Sequence, residues 1–161
     1  YYRKGFAFQK WSYFDNRLWN QIVTEARGMI LNERFPIIGY DNIYANIDLS
    51  RQNSRRILIH KYVQFKKAEL SDFRPDIPGI IIINPPYGER LGEESELDTL
   101  YQLMGDVLKS NCKESDAFIF IGNLELAKNI GLKPESKIIL KNGKIDCRLL
   151  HFPIRHGKYA D

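Results

Sequence analysis

The apolar positions of this chain change period along its length. Leu18, Ile22, Ala26 and Met29 recur on one helix face behind Asp15, a good cap, and predict a helix to about Asn32. Phe35 to Asp41 reads as a short strand ending in an acid, followed by a helical stretch over about 42–55. Val63, Phe65 and Lys67 alternate in a second strand. Ile80-Ile81-Ile82-Ile83 is an unbroken β-branched run, the pattern of a strand buried on both faces of a parallel sheet. Ser95-Glu96-Leu97-Asp98 has the form of a capping box. Leu97, Leu100, Tyr101, Met104, Val107 and Leu108 then line one apolar stripe. Ala117 to Gly122 is another buried strand, and Asn123 caps a short helix through Ile130 that Gly131 stops. Ile138-Ile139-Leu140 and Ile145 to Phe152 flank Lys141-Asn142-Gly143-Lys144, and Asn-Gly between apolar runs is a strong hairpin signal. Strands alternating with helices, closed by an antiparallel hairpin, give the α/β class.

Residues 1–14 fall outside this alternation. They interleave Tyr1, Tyr2, Phe6, Phe8, Trp11, Tyr13 and Phe14 with Arg3, Lys4 and Lys10. Such a mixture suits stacking on single-stranded nucleic acid. Phe6, Phe8 and Trp11 read as buried, so the expectation is a covering segment that packs its aromatics on the core.

Composition changes this picture little. The 161 residues suit one domain with a substantial core. A net charge of +4 favours a polyanionic partner only mildly. Cys112 and Cys147 have no metal-ligand spacing and read as reduced thiols of a cytoplasmic protein that needs no metal. No apolar run approaches the ~20 residues of a membrane span, and there is no signal peptide, so no membrane partner is expected.

The chemistry concentrates after the isoleucine run, at Asn84-Pro85-Pro86-Tyr87. Prolines cannot donate to a ladder, and Pro85 keeps Asn84 out of the helical region, so the strand stops there. Asn84 should then sit at the carboxyl end of a central strand, where open α/β sheets bind ligands. The Asn84 carboxamide oxygen and the Pro85 carbonyl can each accept one proton of an exocyclic base amine. That leaves the nitrogen lone pair free to attack a methyl group. Tyr87 offers a flat face to an extruded base. Asp41, at another strand end, can accept ribose hydroxyls or cap the following helix.

Asn84-Pro85-Pro86-Tyr87-Gly88-Glu89-Arg90-Leu91-Gly92 resembles the bacterial S-adenosylmethionine-dependent methyltransferases that modify guanine N2 in large-subunit ribosomal RNA, members of which were often labelled adenine-specific DNA methylases. Phe6-Ala7-Phe8-Gln9-Lys10-Trp11 and Gly143-Lys144-Ile145-Asp146-Cys147-Arg148-Leu149-Leu150 resemble the same branch. The resemblance implies a Rossmann-like class I methyltransferase sheet and S-adenosylmethionine as cofactor. It gives Asp41 the ribose, and places Asn42, where the family is usually apolar, beside the adenine. It assigns the adenine amino group to Glu69 or Asp72, with Leu70 along the ring. Asn84, Pro85, Pro86 and Tyr87 would act on the acceptor, Asn84 also touching the cofactor, with Glu89 and Arg90 beside the acceptor. Glu89 could accept the guanine ring N–H. Arg148, Arg155, His156 and Lys158 could meet phosphates or stay solvated. The implied function is methyl transfer to guanine N2 of large-subunit ribosomal RNA. Adenine-N6 methylation of DNA and a non-catalytic fragment keeping only the acceptor-base loop are the alternatives.

The element count is one strand short of that fold. No Gly-x-Gly-x-x-Gly or similar turn precedes Asp41. The expectation is a partial catalytic domain over residues 1–161, without its first strand, its Gly-rich turn and an N-terminal RNA-binding module. Ile37-Ile38 and Ile80–Ile83 should therefore lack a shared neighbour. The activity of such a fragment alone would be doubtful, and the missing N-terminal part would be its natural partner.

Overall fold

A computed structural model of the chain describes residues 5–31, 35–87 and 94–156. The chain divides into two compact units, Tyr1–Lys67 and Ala68–Asp161.

The first unit opens on an aromatic cluster. Phe8 packs edge-on against Trp19 at 5.3 Å, and Phe6 against Trp19 at 5.7 Å. These rings pack on one another. Trp11 stays 56% exposed, with Phe8 and Tyr13 as its ring neighbours among the described residues, which corrects the expectation that it is buried. Helix α1 (Asn16–Gly28) begins where the Asp15 carboxylate accepts the N–H groups of Arg17 and Leu18. It stops short of the expected end, at Gly28, the poorest helix former after proline. Strands β1 (Ile37–Asp41) and β2 (Val63–Lys67) pair in parallel, with Ile37 opposite Val63 and Asp41 opposite Lys67. Parallel neighbours need a crossover, and helix α2 (Tyr44–Arg56) supplies it, burying Ile47.

The second unit is a four-stranded sheet. It contains β3 (Ile80–Ile83), α3 (Glu94–Asn111), β4 (Ser115–Ile121), α4 (Leu124–Lys128), β5 (Ser136–Asn142) and β6 (Ile145–Ile154). The strand order is β3-β4-β6-β5, with β3 and β4 parallel and the other neighbours antiparallel. Ala117, Ile119 and Ile121 of β4 alternate into the core, where Tyr101, Met104 and Leu108 of α3 meet Leu150, Phe152 and Ile154 of β6. Gly105 explains how close α3 comes to the chain behind it. A Cβ on Gly105 would lie 1.8 Å from the Ile130 carbonyl oxygen.

Four expectations change in this unit. The isoleucine strand is buried on one face only. Ile81 and Ile83 pack against the core, while Ile80 and Ile82 are 75% and 77% exposed. The β3 strand lies at the sheet edge, and the core that includes α3 and α4 packs on the Ile81 and Ile83 face alone. Ser95 is not the helix cap, because α3 already includes it and its carbonyl accepts from Thr99 Oγ1. Helix α4 starts at its predicted cap, Asn123, but ends at Lys128, short of Ile130. The hairpin turn is Gly143-Lys144, not Asn142-Gly143: Asn142 pairs with Ile145, and Gly143 takes φ +60°. Glycine with positive φ at the first central position is the pattern of a type II′ turn.

The two sheets share no strand among the described residues. This agrees with the expectation that β1 and β3 lack a common neighbour. Among the described residues no helix is long and apolar enough to cross a membrane.

Candidate active site

The β3 strand ends at Ile83, and the next four residues are described in full. Asn84 is exposed, Pro85 buried, Pro86 exposed and Tyr87 half-buried. The burial of Pro85 anchors the turn so that Asn84 projects from it. The Tyr87 hydroxyl donates to Asn84 Oδ1 at 2.5 Å. One lone pair of that oxygen is therefore used, and a carbonyl oxygen has two. The remaining lone pair is the one available to a base amine.

Two residues that sequence reasoning left out hold this loop. Tyr101, fully buried on α3, donates its hydroxyl to the Pro86 carbonyl at 3.1 Å. Burial, with Tyr87 nearby, pushes the Tyr101 phenol up to about 12, so it remains a donor at neutral pH. Gly122, just after β4, faces the Tyr87 ring, and a Cβ there would lie 2.7 Å from ring carbons Cγ and Cδ2. Phe120 meets the same ring edge-on at 6.2 Å.

The hairpin reaches the site as well. Burial first, and then the Cys147 sulfur, raise the Tyr87 phenol above its ordinary value, while the Asn142 side chain acts the other way. Tyr87 therefore stays protonated and keeps donating to Asn84. Asn142 stood in the sequence only as a turn residue. Its signal was its position next to the Gly-Lys-Ile-Asp-Cys string.

The expected cofactor residues divide between the units. Asp41 is the last residue of β1. Its Oδ1 accepts the Ile43 N–H at 2.8 Å, and the Asn46 side-chain amide lies 3.2 Å from both carboxylate oxygens. Asp41 thus serves the start of α2, and Oδ2 keeps acceptor capacity beyond Asn46. Asn42 is exposed beside it. In the second unit, Glu69 is exposed, immediately before a short 3-10 turn over Leu70–Asp72. Leu70 packs partly against the core, so only part of its side chain is left for a ligand ring. Glu89, Arg90 and Lys158 lie outside the described residues. Arg155 pairs with Asp116 at 3.3 Å and His156 with Glu114 at 3.7 Å. Arg148 donates to the carbonyl of Cys147. These local contacts fit the solvated alternative for that basic set.

Cys112 and Cys147 are buried and free, and burial pushes the Cys112 thiol up to about 11. Among the described residues no group of three His, Cys, Asp or Glu side chains could hold a metal ion.

Residues 2–151 match the family model of the RMKL-like methyltransferase domain. The chain belongs to that family. It is 35% identical to the ribosomal RNA large subunit methyltransferase K/L of Syntrophotalea carbinolica, over 98% of this chain and 23% of that protein. The same-named protein of Methylococcus capsulatus is also 35% identical, over 98% of this chain and 22% of its own length. Among solved structures, SMU.472, a candidate methyltransferase complexed with SAH, superposes with a TM-score of 0.81 at 30% identity, over 98% of this chain and 42% of that one. The chain thus spans about a quarter of the K/L relatives and two fifths of SMU.472. TrmN from Thermus thermophilus, at 16% identity and a TM-score of 0.62, shares the fold.

Proposed function

We propose that this chain carries the acceptor-base end of an S-adenosylmethionine-dependent methyltransferase, acting in the cytoplasm on the guanine N2 amine of large-subunit ribosomal RNA. The observation that carries the reading is the Asn84 carboxamide, presented at the carboxyl end of β3 and aligned by the Tyr87 hydroxyl. Its family membership and the names of its K/L relatives support the substrate.

In this reading Asn84 Oδ1 accepts one amine proton with its remaining lone pair, and the Pro85 carbonyl accepts the other. Tyr101 fixes the Pro86 peptide and so the direction of the turn. Orientation of this kind supplies most of the rate, since well-placed reactants reach effective molarities of about 10⁵–10⁸ M. Glu89 would accept the guanine ring N–H, and Arg90 would donate to a phosphate. Tyr87 orients Asn84 and gives the base a ring to stack on.

Each unit offers groups of the chemistry the cofactor needs. In the first, Asp41 Oδ2 has acceptor capacity for a ribose hydroxyl, with Asn42 beside it; in the second, Glu69 is an exposed carboxylate for the adenine amine, with Leu70 next to it. When bound, the cofactor supplies a methyl group on a sulfonium. The exposed edge of β3 supports pairing with a further strand, which in this reading belongs to the N-terminal part of the same protein.

The test gives the full gene product large-subunit RNA or adenine-containing duplex DNA with labelled S-adenosylmethionine, and identifies the modified nucleoside after digestion. Label in N2-methylguanine from RNA, abolished by Asn84→Ala, is expected. Label in N6-methyladenine from DNA reverses the substrate assignment. No transfer to either, from protein that binds the cofactor, points to the non-catalytic alternative.

A further inference from the structure

The charge of the chain is divided unevenly. Residues 1–67 hold 12 Lys and Arg against 5 Asp and Glu, a net +7, while residues 68–161 hold 12 against 15, a net −3. Most of that excess falls in one stretch. Residues 51–67 contain Arg51, Arg55, Arg56, Lys61, Lys66 and Lys67, together with His60, and no acid.

The fold gathers this stretch around a groove between α2 and β2. The groove encloses about 360 Å³ and is lined by Arg51, Arg55, His60, Gln64 and Lys66, among others. Arg51 is fixed there, donating to the Phe65 carbonyl at 2.9 Å. That bond uses one of the five N–H donors of a guanidinium. Arg55, His60 and Lys66 are exposed. Among the described residues, Arg55, Arg56 and Lys61 have no carboxylate within ion-pair distance. The nearest acid before the stretch, Asp48, is held by Gln52. Cations in the last turn of α2 favour the helix dipole, which accounts for Arg55 and Arg56. It does not account for Lys61 and Lys67. Six like charges on 17 residues repel one another, and a polyanion relieves that repulsion. Three of the lining residues, Arg51, Arg55 and Lys66, are cations, set beside Val63 and Phe65.

We propose that the α2–β2 groove binds the phosphodiester backbone of the RNA that carries the acceptor base. The inference rests on the RNA reading above and adds to it a site in the first unit, built from residues other than those of the Asn84 loop. Contacts to phosphate position a nucleic acid without reading its sequence, so the groove would set affinity and register, not the choice of base. It also replaces the carboxyl-terminal Arg148, Arg155 and His156 as the main phosphate contacts.

The test measures binding of a fluorescent large-subunit RNA fragment to the full gene product by anisotropy, across a salt series and without S-adenosylmethionine. The double variant Arg55→Ala/Lys66→Ala should bind more weakly at every salt concentration. Its slope of log affinity against log salt should fall by roughly 1.4–1.8, two phosphate contacts' worth. The charge-keeping swap Arg55→Lys/Lys66→Arg should retain the native slope, which separates charge from fold. An unchanged affinity and slope in the alanine variant would overturn the proposal. So would calorimetry showing inorganic phosphate saturating the groove while RNA affinity is indifferent to it, the behaviour of a small-anion site. Because this readout needs no methyl transfer, RNA binding through the groove without methylation would count against the enzymatic reading alone.

Discussion

Gly122 seats Tyr87: the aromatic ring lies where the β-carbon of any other residue at 122 would be, 2.7 Å from Cγ and Cδ2. Those atoms are near the pivot of the side chain, so the whole ring must move if Gly122 gains a side chain. Its hydroxyl would then leave Asn84 Oδ1. Gly122→Ala is expected to lower kcat at least tenfold while the affinity for S-adenosylmethionine holds. Steady-state kinetics with cofactor calorimetry on the full gene product checks this. Native kcat in the variant would mean the seat is irrelevant to the acceptor loop.

Asp41 has two jobs in this account, and they separate by measurement. Losing its bond to the Ile43 N–H should destabilise the protein by about 1 kcal/mol. Losing its hydrogen bond to a ribose should weaken cofactor binding by roughly 10- to 100-fold, the range for a bond to a charged group. Asp41→Ala followed by calorimetry and thermal melting reads both. Lowered stability with native affinity would leave Asp41 only the helix start.

Gly105 sits in the middle of α3, where alanine would gain about 1 kcal/mol of helix propensity. The contact with the Ile130 carbonyl reverses that sign. A Cβ at 1.8 Å cannot be absorbed without separating α3 from the chain after α4. Gly105→Ala should destabilise by about 1–3 kcal/mol, the usual cost of overpacking. Urea denaturation checks it, and a more stable variant would refute the close contact.

Leu58 closes α2 with φ 60°, a left-handed conformation that a leucine adopts only at a cost. Such strain is worth about 1–3 kcal/mol, of which glycine would return roughly 0.5–1 kcal/mol as added chain entropy. Leu58→Gly should therefore stabilise the protein by about 1 kcal/mol in a thermal or urea melt. A loss of stability would show that the Leu58 side chain contributes more than its backbone costs.

Asp116 joins β4 to β6. Its Oδ1 lies 2.7 Å from His151 Nε2 and 3.3 Å from Arg155, while His151 Nδ1 lies 3.3 Å from Glu135 and the imidazole stacks on Phe118. The hydrogen bond with His151 leads in holding the Asp116 carboxyl below its ordinary value. A depressed carboxyl stabilises the fold at pH above its unfolded pKa of about 3.9. That stability is lost as pH falls further, through the lower native value. Wild type and Asp116→Asn should differ in Tm at pH 6 and converge as the pH drops below about 4. A difference independent of pH would mean the carboxylate charge is not what holds β4 to β6.

Periodicity by itself determined most of the elements. The stripe from Leu97 to Leu108 and the alternation of β4 are local patterns, and each formed as read because propensity and burial agree within a few turns. The Asn84-Pro85-Pro86-Tyr87 break was equally local, since two prolines end a strand whatever surrounds them. Tertiary structure decided what depends on distant partners. Ile80 and Ile82 are exposed because the core built with α3 covers only the Ile81 and Ile83 face of the sheet, which no run of isoleucines can reveal. The turn shifted by one residue because pairing of β5 with β6 sets the register. Tyr87 was legible as a stacking ring, but its seat on Gly122 and Phe120, its bond to Asn84 and the Tyr101 anchor beneath Pro86 join residues up to 35 positions apart, from Tyr87 to Gly122. Packing chooses such partners, and packing is a property of the folded chain.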